Sequence, residues 1–127
     1  GHVRCVCADG RALPADLGAF DLVFLDAPCS GTGTLARHPE IAWSLEPSAP
    51  ADLAALQAEL LAAASAHVAA AGRLVYATCS VLAEENEAVV DAFLASPAGA
   101  SFSLERAGLT EVPGGSDTHF HALLRRR

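Results

Sequence analysis

Three short apolar runs, VRCVCA at 3–8, FDLVFL at 20–25 and RLVYAT at 73–78, each lead directly into a residue able to do chemistry: Asp9, Asp26 and Cys79. Runs of this length, rich in β-branched and aromatic residues, predict buried strands. Between the second and third, residues 51–71 (ADLAALQAELLAAASAHVAAA) are dominated by strong helix formers. Leu53, Leu56, Leu60 and Val68 fall near one face, and Gly72 is placed as a C-terminal stop. Residues 84–94 (EENEAVVDAFL) predict a second helix whose acidic first turn suits the positive end of the helix dipole. Beyond Pro97, a short strand over 101–106, a turn at Pro113-Gly114-Gly115 and a last strand over 118–124 complete the reading. Alternating strands and helices predict a parallel, doubly wound α/β sheet, in which ligands bind beyond the carboxyl ends of the strands. Asp9, the segment from Asp26 to Gly33, and Cys79 would then share one rim.

Length and composition narrow the class. At 127 residues, 52% hydrophobic and 18% charged, with no internal repeat or linker, the chain has room for a single domain over 1–127 or part of one. Much of the apolar share is alanine and aromatics are 6%, so the core buries less area than the percentage suggests. No uninterrupted apolar run is long enough for a membrane span, and GHVRCVCADG lacks signal-peptide architecture, which predicts a cytoplasmic protein with no membrane partner. Cysteines at 5, 7, 29 and 79 show neither zinc-module pairs nor disulfide-scaffold density, so reduced thiols are expected. A net charge of -7 with eight arginines and no lysine excludes a general basic footprint for nucleic acid, leaving only local patches such as Arg125 to Arg127.

The segment DAPCSGTGT concentrates the chemistry. Pro28 fixes its own φ and restricts Ala27, while Gly31 and Gly33 let the backbone bend, so Asp26 and Cys29 sit on a rigid turn. The bland alternative is a strand-to-loop turn. A phosphate loop is disfavoured, because no Gly-Lys-Ser/Thr follows. Asp9-Gly10 reads equally as a turn or as a carboxylate for a cofactor's adenine or ribose. Cys79 stands where a strand gives way to a helix, whose N-terminus favours thiolate, although Glu84, Glu85 and Glu87 oppose it. Cys5 and Cys7, inside the first strand, are expected to be buried hydrophobes. His119 and His121 alternate on a strand but lack an evident third metal ligand, so no metal site is expected. His67 is expected on the polar face of the first helix, and Trp43 either packs or stacks on a base.

DAPCSGTGTLARHPEIAW at 26–43 and GRLVYATCSVLAEENEAVV at 72–90, in that order, resemble the RNA (cytosine-5)-methyltransferases of the RsmB/Nop2/Sun (Fmu) type. The resemblance covers most of residues 3–94, with THFHALLRR similar to that family's closing strand. It implies S-adenosylmethionine as cofactor and cytosine of ribosomal or transfer RNA, single-stranded or flipped, as substrate. Cys79 matches the nucleophile that attacks C6 and activates C5. Asp26 matches a residue that hydrogen-bonds the base beside the cofactor. Cys29, in the Pro-Cys pair with Pro28, matches the group that assists release of the methylated base, and Asp9 matches the carboxylate on the cofactor's adenine. An unstacked base is the only one whose C5 such a rim can reach.

The family's glycine-rich cofactor loop, and the acidic residue of the next strand, have no counterpart here. Ala42 and Ala83 stand where a basic residue and a proline are common. The family's strand order, 3-2-1-4-5-7-6, implies that this chain starts at the third strand. The expected fold is therefore a Rossmann-like class I methyltransferase sheet, incomplete, with its first two strands and the glycine-rich loop absent. Residues 1–127 would form the C-terminal portion of one catalytic domain, binding cofactor poorly when alone. Two rivals remain: a noncatalytic module completed by a partner or by self-association, and a different methyltransferase or nucleotide enzyme on the same fold.

Overall fold

A computed structural model describes residues 2–111, 113–115 and 117–127. Four strands form one sheet: β1 (Phe20–Asp26), β2 (Val68–Thr78), β3 (Phe102–Glu111) and β4 (Thr118–Arg126), in the order β1-β2-β4-β3. β1 and β2 run parallel, whereas β4 is antiparallel to both β2 and β3. This is the 4-5-7-6 half of the expected order, so the sheet is mixed and not wholly parallel as the strand-helix alternation alone predicts. The cause is the β3–β4 hairpin, whose short connection through Pro113-Gly114-Gly115 leaves no room for a crossover helix.

Helices α1 (Ile41–Ser44), α2 (Ala49–Ser65) and α3 (Glu87–Ala95) complete the regular structure with two short 3-10 turns. Leu61 and Ala64 of α2, with Val89, Val90 and Phe93 of α3, pack on a face of the sheet made by Leu74, Tyr76, Phe120, Ala122 and Leu124. Edge-to-face rings lock this layer, Tyr76 with Phe120 and Phe93 with Phe102. On β1 the alternate positions turn outward. Leu22 is 59% exposed and Phe24 63%, whereas Val23 and Leu25 pack against the core.

Three expectations fail, each for a physical reason. Residues 2–9 form no strand and are exposed, Cys5 and Cys7 included. Among the described residues nothing pairs with them, and an unpartnered strand leaves its backbone groups to water. The first long helix stops at Ser65, and Val68 to Thr78 are strand, so Gly72 is no helix stop. Even for alanine, helix propensity is a small preference that tertiary context overrides, and complete burial of Val68 with pairing to Phe20 outweighs it. The join is uneven: the β1–β2 register shifts between Phe20 and Leu22, Ala71 has φ 61°, and a Cβ on Gly72 would stand 3.1 Å from Asp21 O. Finally, α2 fully buries Gln57 and Leu61, while Leu53, Leu56 and Leu60 are half-buried. His67 lies beyond the helix, its Nδ1 2.8 Å from Gly18 O.

Candidate active site

β1 and β2, being adjacent and parallel, deliver Asp26 and Cys79 to the same end of the sheet. Asp26 pairs with Ala77, two residues before Cys79, and Ala27 N–H donates to Ala77 O at 2.9 Å. After Asp26 the chain turns through Pro28 and Cys29 into Gly31, whose φ of 73° is left-handed and opens the 3-10 turn Thr32–Thr34. Gly33 then passes against the second loop. Its N–H donates to Cys79 O at 2.9 Å, and an added Cβ would lie 2.1 Å from Thr118 O, so only glycine fits.

The outcome is a pair of half-buried thiols. Cys29 Sγ and Cys79 Sγ stand 3.2 Å apart, and Cys79 N–H donates to Cys29 Sγ at 3.3 Å. That separation is a hydrogen-bonded contact, well beyond the ~2.05 Å of a disulfide. Burial, reinforced by the hydrogen bond with Cys79, pushes the Cys29 thiol up to about 12, so at neutral pH it keeps its proton. Asp26 and Pro28 are exposed beside the pair.

Asp9 does not join this rim by way of a strand. It opens a turn, with Ala12 N–H donating to Asp9 O at 2.9 Å. Its carboxylate accepts from Arg11 N at 2.9 Å and from Arg11 Nη2 at 2.8 Å, and the hydrogen-bonded guanidinium holds its pKa down at about 2. The turn rests on α2, where Arg11 also lies 3.8 Å from Glu59. Trp43, on α1, is 91% exposed. His121 Nδ1 lies 3.2 Å from Thr110 Oγ1, and no cluster of three metal-ligating side chains occurs among the described residues. Arg126 and Arg127 donate to carbonyls of Val68, Ala100 and Phe102, which ties the end of β4 to its neighbours.

Sequence reasoning missed the layer beneath the thiols. Glu85, expected in the first turn of the second helix, precedes α3 and is completely buried. Ser30 and Ser80, each following a cysteine, converge on its carboxylate, and Gln57 reaches it from α2. Thr78 Oγ1 donates to Asn86 Oδ1 at 2.6 Å, and Asn86 Nδ2 donates to Ser80 O at 2.8 Å. The available signals were faint: Gln57 falls four residues before Leu61 on one helical stripe, and Ser30 and Ser80 both occur as Cys-Ser.

Sheet order and strand-end thiols together define a methyltransferase-type α/β fold, and the relatives agree. The family described as 16S rRNA methyltransferase RsmB/F matches residues 1–125, and the chain belongs to it. Ribosomal RNA small subunit methyltransferase B of Serratia proteamaculans (strain 568) is 44% identical over 115 residues, 89% of this chain. The protein of that name from Klebsiella pneumoniae (strain MGH 78578) is 48% identical over 95 residues, 75% of the chain. The chain spans about a quarter of the length of these relatives, 26% and 22%. Among solved structures, PH0851 superposes with a TM-score of 0.83 at 34% identity, covering 94% of this chain and 30% of that one. NSun6 from Pyrococcus horikoshii with SFG gives 0.79 at 25% identity, covering 95% and 34%. The fold is accordingly a partial Rossmann-like methyltransferase sheet. None of the described helices is long and apolar enough to cross a membrane.

Proposed function

We propose that residues 1–127 are part of a longer catalytic domain that transfers a methyl group from S-adenosylmethionine to C5 of a cytosine in RNA. The observation that carries this reading is the thiol pair at the carboxyl ends of two adjacent parallel strands, Sγ to Sγ 3.2 Å. Family membership favours ribosomal RNA as substrate over transfer RNA, and the cytoplasm as location. Cys79 thiolate adds to C6 of the cytosine, forming an S–C6 bond and moving an electron pair to C5, which takes the methyl group. A water molecule at this open rim takes the C5 proton, the C5–H electron pair forms the C5–C6 double bond, and the S–C6 pair returns to Cys79 Sγ, which releases the product. Cys29, which keeps its proton at neutral pH, donates its S–H toward Cys79 Sγ and assists that release. Asp26, exposed beside the pair, hydrogen-bonds the base.

The cofactor supplies an electrophilic methyl group, and the residues present fit it on one side. Asp26 and Pro28 are open at the end of β1, and the neighbour solved with SFG, an analogue of S-adenosylmethionine, supports the choice of cofactor. Asp9 must first exchange Arg11 for an adenine edge, so the second side is incomplete in this chain. The phosphate contacts that dominate RNA affinity would lie in the remainder of the longer protein, which accommodates the charge of -7 here.

In the complete protein Cys79→Ser abolishes methylation, measured by transfer of a labelled methyl group. Cys29→Ser permits addition but traps a protein–RNA adduct visible on a denaturing gel. Normal turnover by Cys79→Ser would refute the assignment. The exposed Leu22 and Phe24 at an edge strand also suit a noncatalytic module completed by a partner or a second copy. Calorimetry separates the two readings: S-adenosylmethionine binding by the complete protein supports the enzyme, and its absence in a folded complete protein supports the module.

A further inference from the structure

We propose that Glu85 is a positioning residue that sets the spacing of the two thiols by clamping the Cys29 loop to the Cys79 loop. The inference rests on the reading of those cysteines as the reacting pair. A carboxylate this deeply buried needs a cation or a full set of donors, and among the described residues no ion pair involves it. It takes donors instead. Oε1 accepts from Ser30 N–H at 2.8 Å and from Gln57 Nε2 at 3.2 Å, and Oε2 accepts from Ser30 Oγ at 2.6 Å and from Ser80 Oγ. Each serine is one peptide unit from a cysteine, so the clamp acts about 3.8 Å of chain away from each thiol-bearing Cα.

The clamp is itself referenced to the fold. Tyr76 of β2 donates its hydroxyl to Glu85 O at 2.6 Å, and Gln57 Nε2 also donates to Pro28 O at 2.8 Å, immediately before Cys29. Thr32 completes the seam: its Oγ1 lies 3.1 Å from Ser80 Oγ and accepts from Val81 N–H at 3.1 Å. Among the described residues the remaining direct ties between the loops are Gly33 N–H to Cys79 O, Cys79 N–H to Cys29 Sγ, the thiol contact itself, and a 3.3 Å contact between Ser30 Oγ and Ser80 Oγ, two hydroxyls that the carboxylate holds together. Removal of the carboxylate therefore frees the sulfurs to drift apart even in a chain that still folds.

The thiol–disulfide equilibrium of Cys29 and Cys79 reads their proximity without RNA or cofactor, so it stands or falls separately from methyl transfer. The exposed Cys5 and Cys7 are first replaced by serine, and the chain is equilibrated with reduced and oxidised glutathione. Each mole of glutathione disulfide oxidises the two thiols to one protein disulfide and leaves two glutathione thiols. Mass spectrometry after acid quench and alkylation gives the effective concentration of one thiol at the other. Glu85→Ala is expected to lower it about tenfold, and Glu85→Gln, which keeps an acceptor for Ser30 N–H and can donate to a serine hydroxyl, to recover most of the loss. An unchanged equilibrium in folded Glu85→Ala overturns the proposal, because a purely stabilising side chain alters melting and not thiol spacing. Should Glu85→Ala fail to fold, Ser80→Ala decides: a loss of about threefold supports the clamp and no change refutes it. In the complete protein Glu85→Ala should lower kcat while KM stays within about twofold, and Glu85→Gln should restore most of that kcat.

Discussion

Residues 3–9 (VRCVCAD) and β1 (FDLVFLD) are nearly the same sentence in sequence, an apolar run closed by aspartate, yet only the second is a strand. The difference is a neighbour. β1 pairs along its length with β2, whereas residues 2–9 have no such partner among the described residues. A strand is a property of a pair, since its backbone donors and acceptors close only on another chain segment. The two aspartates diverge accordingly: Asp26 is held at the rim by its strand, and Asp9 is drawn into a turn by Arg11.

Thiol chemistry gives the largest contrast between the regions. Cys5 and Cys7, exposed on the unpaired segment, should be alkylated first by iodoacetamide. Cys29, its pKa pushed up to about 12, is ionised at pH 8 to only about one part in ten thousand, and should react about a thousandfold more slowly than a free thiol. Its rate should climb tenfold per pH unit toward 12. The folding linkage has the matching sign: a thiol acid weakened by folding adds stability below the ordinary thiol range, and that stability is lost as pH rises from about 9 to about 12. Peptide mapping of the alkylated sites checks the order, and equal labelling of all four cysteines would erase the contrast.

Damaging the neighbour should make β1 behave like its unpaired twin. Leu74 of β2 is fully buried opposite Val23, so Leu74→Ala should cost about 2–5 kcal/mol by denaturant unfolding. Amide exchange at 22–25 should then approach that at 3–8. Retained protection there would mean that β1 stands without its partner.

Patterns that a single segment carries were legible in the sequence. The run at 20–25, the closing strand at 118–124 and the convergence of Asp26, Cys29 and Cys79 followed from apolar runs ending in chemistry, and the strand order from the two long motifs. Properties set by distant partners were not. Residues 68–72 look helical because alanine dominates, and become strand because Val68 is buried beside β1. Glu85 looks like one of three acids on a helix start, and is buried because two serines 50 residues apart in sequence meet over it. Cys5 and Cys7 were expected to be buried for the converse reason: their segment has a strand's pattern without a strand's partner.

The matched valines offer the finest test of the comparison. Val23 is partly buried against the core and should lose about 1–2 kcal/mol on truncation to alanine, the cost of two methyl groups withdrawn from a packed face. Val6, 44% exposed, should lose less than about 0.5 kcal/mol on the same change. Chemical unfolding of the two variants side by side measures both, with identical chemistry deleted from near-identical sequence contexts. Equal costs would mean that residues 3–8 are packed in solution and that the contrast with β1 is false. If instead Val6→Ala is silent in this chain and costly in the complete protein, the missing quantity is the neighbour itself, and the first apolar run becomes a strand only where the rest of the sheet exists to receive it.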